Sequence, residues 1–142
     1  MTVKITAEEM RFIALFEGLA GASARDCVVT QDGSTIAFVV KPGDMGLAIG
    51  KNGATIRKME RLTGKNVEVF EASDDLITFL RNLLFPAKVL AVEIKDTANE
   101  KVAIVQVDAA DKMKAIGKRG RKILLAKKLM ERHFGISDII LK

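Results

Sequence analysis

Apolar residues recur at helical spacing after the start of the chain, at Met10, Ile13 and Phe16–Leu19, and Thr6 and Glu9 stand three residues apart just ahead of them. That is a capping-box pattern, and it predicts a helix from about Ala7 to Leu19, stopped in the region of Gly18 and Gly21. Two short apolar runs follow, Cys27–Val29 and Ile36–Val40, on either side of Asp32-Gly33. Runs of this length around such a dipeptide predict a hairpin. Pro42-Gly43 ends the second strand. Asp44 is placed to cap a short helix, and Gly53 opens a longer one to about Thr63-Gly64. Val67–Phe70 then reads as a strand.

The second half repeats the order. Ser73 is the expected cap of a helix from Asp74 to about Leu84, with acidic residues in its first turn and Pro86 as a stop. Val89–Ile94 and Val102–Val107 read as strands joined through Thr97, Ala98 and Asn99. Asp108 or Asp111 can start a short helix before Gly117. A longer helix follows from Gly120 to about His133, ended by Gly135, and Asp138–Leu141 closes the sheet. Two units with the order α-β-β-α-α-β are expected, residues 1–72 and 73–142, with almost no linker. Units of about 70 residues are marginal alone, so they are expected to pack on each other.

The repeat is sharpest at one turn. Ala48-Ile49-Gly50-Lys51-Asn52-Gly53, followed by Ile56, returns 67 residues later as Ala115-Ile116-Gly117-Lys118-Arg119-Gly120, followed by Ile123. Glycine permits a tight reversal between helices and lets a phosphodiester approach the main chain. The following helix adds its N-terminal N–H groups and the positive end of its dipole. Lys51, Lys118 and Arg119 add charge at the tip. The isoleucines 49, 56, 116 and 123 are expected to anchor each helix pair on its sheet. An ordinary helix connection with solvated lysines would account for one such turn. Two copies at the same place in a repeated unit favour a polymer of phosphates as ligand.

Charge changes the picture by its placement. Of the 23 Lys and Arg and 18 Asp and Glu, giving a net charge of +5, the first 72 residues hold nine of each. The whole excess therefore lies in the second half. Lys112, Lys114, Lys118, Arg119, Arg121, Lys122, Lys127, Lys128 and Arg132 crowd the second turn, interrupted by Glu131. Around the first turn stand Lys51, Arg57, Lys58, Arg61 and Lys65 against Glu60. Such a patch attracts phosphate backbones.

Other chemistries find little support. A P-loop requires Gly five residues before its Gly-Lys pair and Ser or Thr after it. Met45 and Asn52 occupy those places in the first copy, and Lys112 and Arg119 in the second. One Cys and one His supply no catalytic triad, and no spacing suggests a metal site or a cofactor. His133 reads as a helix-terminal residue. Cys27 excludes an internal disulfide. The start, Met1–Glu9, lacks an apolar leader core, and no apolar run approaches a membrane span. A cytoplasmic protein without membrane contact, monomeric by default, is expected.

The Ile-Gly-x-x-Gly-x-x-Ile turn, in this element order, resembles the KH domain, whose loop clamps about four nucleotides of single-stranded nucleic acid. The helix and hairpin before the motif and the strand after it are similar to the type II arrangement. Two such domains in tandem, from about Thr6 to Leu141, resemble the NusA family of transcription termination and antitermination factors in its short archaeal form. The resemblance implies an α+β fold of two tandem type II KH domains, single-stranded RNA as ligand, and no catalysis. RNA polymerase or an elongation complex is an implied partner. It carries the RNA-binding role onto Gly50, Lys51, Asn52, Gly53, Gly117, Lys118, Arg119 and Gly120, to which the basic residues Arg57 and Arg121 are added from the helix starts. Bacterial members carry an additional polymerase-binding domain and an S1 RNA-binding domain, for which this chain has no room. Ribosomal RNA binding or ribosome assembly on the same fold, and a protein adaptor using the basic patch, remain alternatives.

Overall fold

A computed structural model describes residues 5–142. The first four residues, part of the start read above as lacking a leader core, lie outside the described residues. The chain divides into two compact units, one ending at Ser73 and the other running Asp74–Lys142.

The first unit begins with α1 (Ala7–Ala20), whose capping box forms as expected. The Thr6 hydroxyl accepts from the Glu9 N–H at 3.1 Å, and the Glu9 carboxylate accepts from the Thr6 N–H at 2.9 Å. Gly21 ends the helix in the left-handed conformation. β1 (Ala24–Val29) and β2 (Thr35–Val40) form the antiparallel hairpin. All six residues of β2 are buried, which explains its unbroken apolar run: it is the central strand of the order β1-β2-β3. Next come α2 (Met45–Ile49), a 3₁₀ turn (Lys51–Gly53), α3 (Ala54–Thr63) and β3 (Asn66–Glu71), which pairs parallel to β2. Phe16 stacks on Phe38 with ring centroids 4.3 Å apart, within a core that includes Cys27, Ile36, Val40, Ala48 and Met59.

The second unit repeats the plan. It comprises α4 (Leu76–Leu84), β4 (Val89–Asp96), β5 (Lys101–Val107), α5 (Lys112–Ile116), α6 (Arg121–Phe134) and β6 (Asp138–Leu141). Short 3₁₀ turns at Ala109–Asp111 and Lys118–Gly120 lead into α5 and α6. The sheet order is β4-β5-β6, antiparallel then parallel. α6 packs on α4, α5 and β6. Phe79 of α4 meets the edge of His133, which sits in the last turn of α6 as its helix-terminal reading required.

Both units therefore have the expected α-β-β-α-α-β order, but some local assignments change. The cap of α4 is Asp75, not Ser73: its carboxylate accepts from the Thr78 N–H at 2.8 Å and from the Thr78 hydroxyl at 2.6 Å. The acidic residues thus precede the helix instead of filling its first turn. Asp44 and Asp111 precede α2 and α5 but make no capping hydrogen bond. Asp108 does cap, accepting from the Ala110 N–H at 3.1 Å at the start of a 3₁₀ turn. Of the four isoleucines Ile56 packs against the core of the first unit, but none is fully buried. Ala48 and Ala115 are fully buried, whereas Ile49 is 37% exposed and Ile56, Ile116 and Ile123 are half-buried. On α2, Ala48 is the buried residue and Met45 packs against the same core; on α5 the buried residue is Ala115.

Candidate nucleic-acid interface

The two glycine turns have nearly the same backbone. Gly50 has φ 78°, ψ 168° and Gly117 has φ 79°, ψ 173°, a region open essentially to glycine alone. Asn52 (φ 55°) and Arg119 (φ 57°) are the non-glycine residues with positive φ among those described. Gly53 and Gly120 are left-handed, at φ 75° and φ 72°. Each turn is closed by a hydrogen bond of 3.1 Å, from the Gly53 N–H to the Gly50 carbonyl and from the Gly120 N–H to the Gly117 carbonyl.

The first glycine of each turn has a packing reason as well. A Cβ on Gly50 would lie 2.4 Å from the Thr55 Oγ1 and 2.7 Å from the Thr55 N. A Cβ on Gly117 would lie 2.6 Å from the Lys122 Cβ and 2.9 Å from the Lys122 N. The helix start folds back against the turn, bringing its N-terminal N–H groups close to the tip. At Gly120 a Cβ would meet open space. Lys51, Asn52, Lys118 and Arg119 are exposed at the two tips.

Two carboxylates place these turns. The Asp44 Oδ2 accepts from the Ser23 N–H at 2.8 Å, and the Asp111 Oδ2 accepts from the Lys88 N–H at 2.9 Å. Each ties the start of the short helix before a turn to the chain entering the first strand of its sheet. The Lys88 N–H holds the Asp111 carboxyl below the usual carboxylate range, with smaller help from Lys114 at 3.3 Å. The Thr78 hydroxyl and N–H act likewise on Asp75.

The units differ beside the turns. The Arg57 guanidinium donates to the Asn52 carbonyl and so braces the first turn. In the second repeat Leu124, exposed, occupies that place. There Arg121 stands at the helix start with its Nε buried and without a hydrogen-bond partner. Lys122 donates to the Phe85 carbonyl.

The basic patch is thinner than its sequence suggests. Lys114 pairs with Asp111, Lys127 with Asp138 at 3.2 Å, and Lys122 is turned to a main-chain carbonyl. Lys112, Lys118, Arg119 and Lys128 are exposed. Around the first turn Lys51, Lys58 and Arg61 are exposed, whereas Lys65 donates to the Gly33 carbonyl. The sequence does not assign which neighbours of the isoleucines form apolar surface near the turns: Leu47 on α2, and Met113 and Leu124 on α5 and α6, are exposed. Their positions beside Ala48, Ala115 and Leu125, which face inward, were the available signal. Among the described residues no cluster of His, Cys, Asp and Glu could hold a metal ion, and no helix is long and apolar enough to cross a membrane.

Residues 11–79 match the KH domain family, and residues 76–141 match the NusA-like second KH domain. The chain is 42% identical over 139 residues to the probable transcription termination protein NusA of Halococcus morrhuae, covering 98% of each chain. It is 34% identical over 137 residues to the probable transcription termination protein NusA of Methanocaldococcus jannaschii, covering 96% of this chain and 74% of that one. Its fold is similar to a crystal structure of the protein APE1850, with a TM-score of 0.88 at 32% identity, covering 97% of this chain and all of the other.

Proposed function

Because this chain belongs to the NusA family of transcription termination proteins, we propose that it binds single-stranded RNA through both KH domains and acts in transcription termination or antitermination. The observation that carries this reading is the duplicated turn. Two positively charged Gly-x-x-Gly tips share one backbone geometry, and each opens directly into the N-terminus of a longer helix. Phosphates are held by main-chain N–H groups and by the dipole of that helix, and the lysines add charge that follows the backbone.

The residues assigned to RNA are Gly50, Lys51, Asn52, Gly53 and Arg57 in a first domain of residues 1–72. Gly117, Lys118, Arg119, Gly120 and Arg121 serve in a second domain of residues 73–142. Gly50 and Gly117 shape the turns. Lys51, Lys118 and Arg119 supply exposed charge, Arg57 braces, and Arg121 adds positive charge at the start of the second long helix. The protein acts by binding, without catalysis, as a cytoplasmic monomer that meets the elongation complex through its transcript.

Crosslinking in cells, followed by sequencing of the attached RNA, tests this assignment. Nascent transcripts, enriched near termination sites, are expected. Recovery of ribosomal RNA alone would contradict the transcriptional role, and recovery of no RNA would contradict RNA binding itself.

A further inference from the structure

The seven phenylalanines are the only aromatic residues besides His133, and Phe85 alone among them is mostly in solvent, at 74% exposure. A single exposed apolar residue means little by itself. Its position gives it meaning. Lys122 donates to the Phe85 carbonyl, and the Lys122 Cβ fills the space that a side chain on Gly117 would need. The main chain of Phe85 thus lies within one lysine side chain of the second glycine turn. The end of α4 is pinned there to the start of α6, on which α4 packs.

The mounting is firm. Leu83, Leu84 and Ala87 around Phe85 are buried, and the extended backbone of Phe85 (φ −53°, ψ 137°) is that expected of a residue before proline. The first unit lacks the arrangement: α1 ends in Gly21, and Thr55 occupies the place of Lys122 in the repeat. The repeated fold therefore does not require this ring. Lys122 reaches the Phe85 carbonyl, and Lys118, Arg119 and Arg121 lie just before that lysine in the chain, a run of positive charge that suits a strand whose phosphates are held while its bases turn outward.

We propose that Phe85 is a stacking platform for one nucleobase of the strand gripped at the second turn. This rests on the turns being an RNA grip and adds a base contact beside it. An aromatic face accepts any base, so the platform lengthens the site of the second domain without imposing a sequence.

Phe85→Trp would install the only tryptophan of the chain, in which tyrosine is also absent. The full-length variant is titrated with a random-sequence pool of single-stranded RNA of about twelve nucleotides, enough for two clamps and a flanking base. Quenching of tryptophan fluorescence in step with binding is expected. In anisotropy titrations with the same pool, Phe85→Ala and Phe85→Leu should each lose about 5- to 150-fold in affinity, the range for one lost base–aromatic stack. Wild-type affinity in Phe85→Ala, with an unquenched tryptophan while RNA binds, overturns the platform and leaves the grip standing. Wild-type affinity in Phe85→Leu replaces stacking with a general apolar contact and also overturns it. Absence of RNA binding by the wild-type chain overturns both platform and grip.

Discussion

The glycines of each turn perform different tasks, although in the sequence they form one symmetrical motif. Gly117 occupies a backbone region open essentially to glycine, and a Cβ there would collide with the Lys122 main chain, whereas Gly120 faces open space in an ordinary left-handed conformation. Gly117→Ala should therefore cost about 3 kcal/mol or more, and Gly120→Ala about 1 kcal/mol. Urea denaturation of the two variants checks this, and equal losses would refute the distinction. Glycine spacing made the turns readable from sequence, together with the lysines at their tips. The return of the helix start onto Gly50 and Gly117 was not readable, because it depends on which side chain, Thr55 or Lys122, arrives from five residues on. For the same reason charge reversal of the binding surface belongs at the tips. Asn52 and Arg119 already have positive φ, a conformation in which aspartate is among the better tolerated residues.

At the level of elements, short acidic side chains were recognisable as boundary residues, but not by the bonds they make. Ser73 and Asp75 both precede the same apolar stripe, and only the actual first turn at Thr78 distinguishes them. Asp44 and Asp111 look like caps, yet each accepts a main-chain N–H more than twenty residues away in sequence. A long-range bond of this kind leaves no local pattern. It does leave a pH signature. The carboxyls of Asp75 and Asp111 titrate below their ordinary value of 3.8 in the folded chain. Each therefore adds stability that is fully present above the ordinary value and is lost as the pH falls through the lower, folded value. The melting temperature of Asp111→Asn should lie below that of the wild type at neutral pH, and the gap should close below pH 3.8. A gap that stays constant through that range would show that Asp111 contributes no charge-dependent hold. Helix ends were more readable, since Gly21, Gly64 and Gly135 all take the left-handed conformation that terminates a helix.

For the molecule as a whole, the recurrence of element order together with the glycine turns pointed to the fold, and apolar runs, cap residues and glycines located its helices and strands. Electrostatics was less readable, because a count of charges does not show which of them are already engaged. Lys114, Lys122 and Lys127 have partners within the second unit, so Lys118 and Arg119 carry much of the charge presented at its tip. For single-stranded RNA each neutralised phosphate adds roughly 0.7 to the slope of log affinity against log salt. Replacing Lys118 and Arg119 by glutamine should flatten that slope by about 1.4, and replacing Lys51 by about 0.7. Binding measured over a series of salt concentrations checks both values; unchanged slopes would remove these side chains from the phosphate contacts. The most direct measurement is an anisotropy titration of short single-stranded RNA with the wild-type chain and with the Lys51→Asp/Asn52→Asp/Lys118→Asp/Arg119→Asp variant, both checked for folding by circular dichroism. Salt-sensitive binding by the wild type, lost in a variant that remains folded, is the expected result. Equal binding by the two folded proteins would contradict the assignment of the paired glycine turns as the RNA grip.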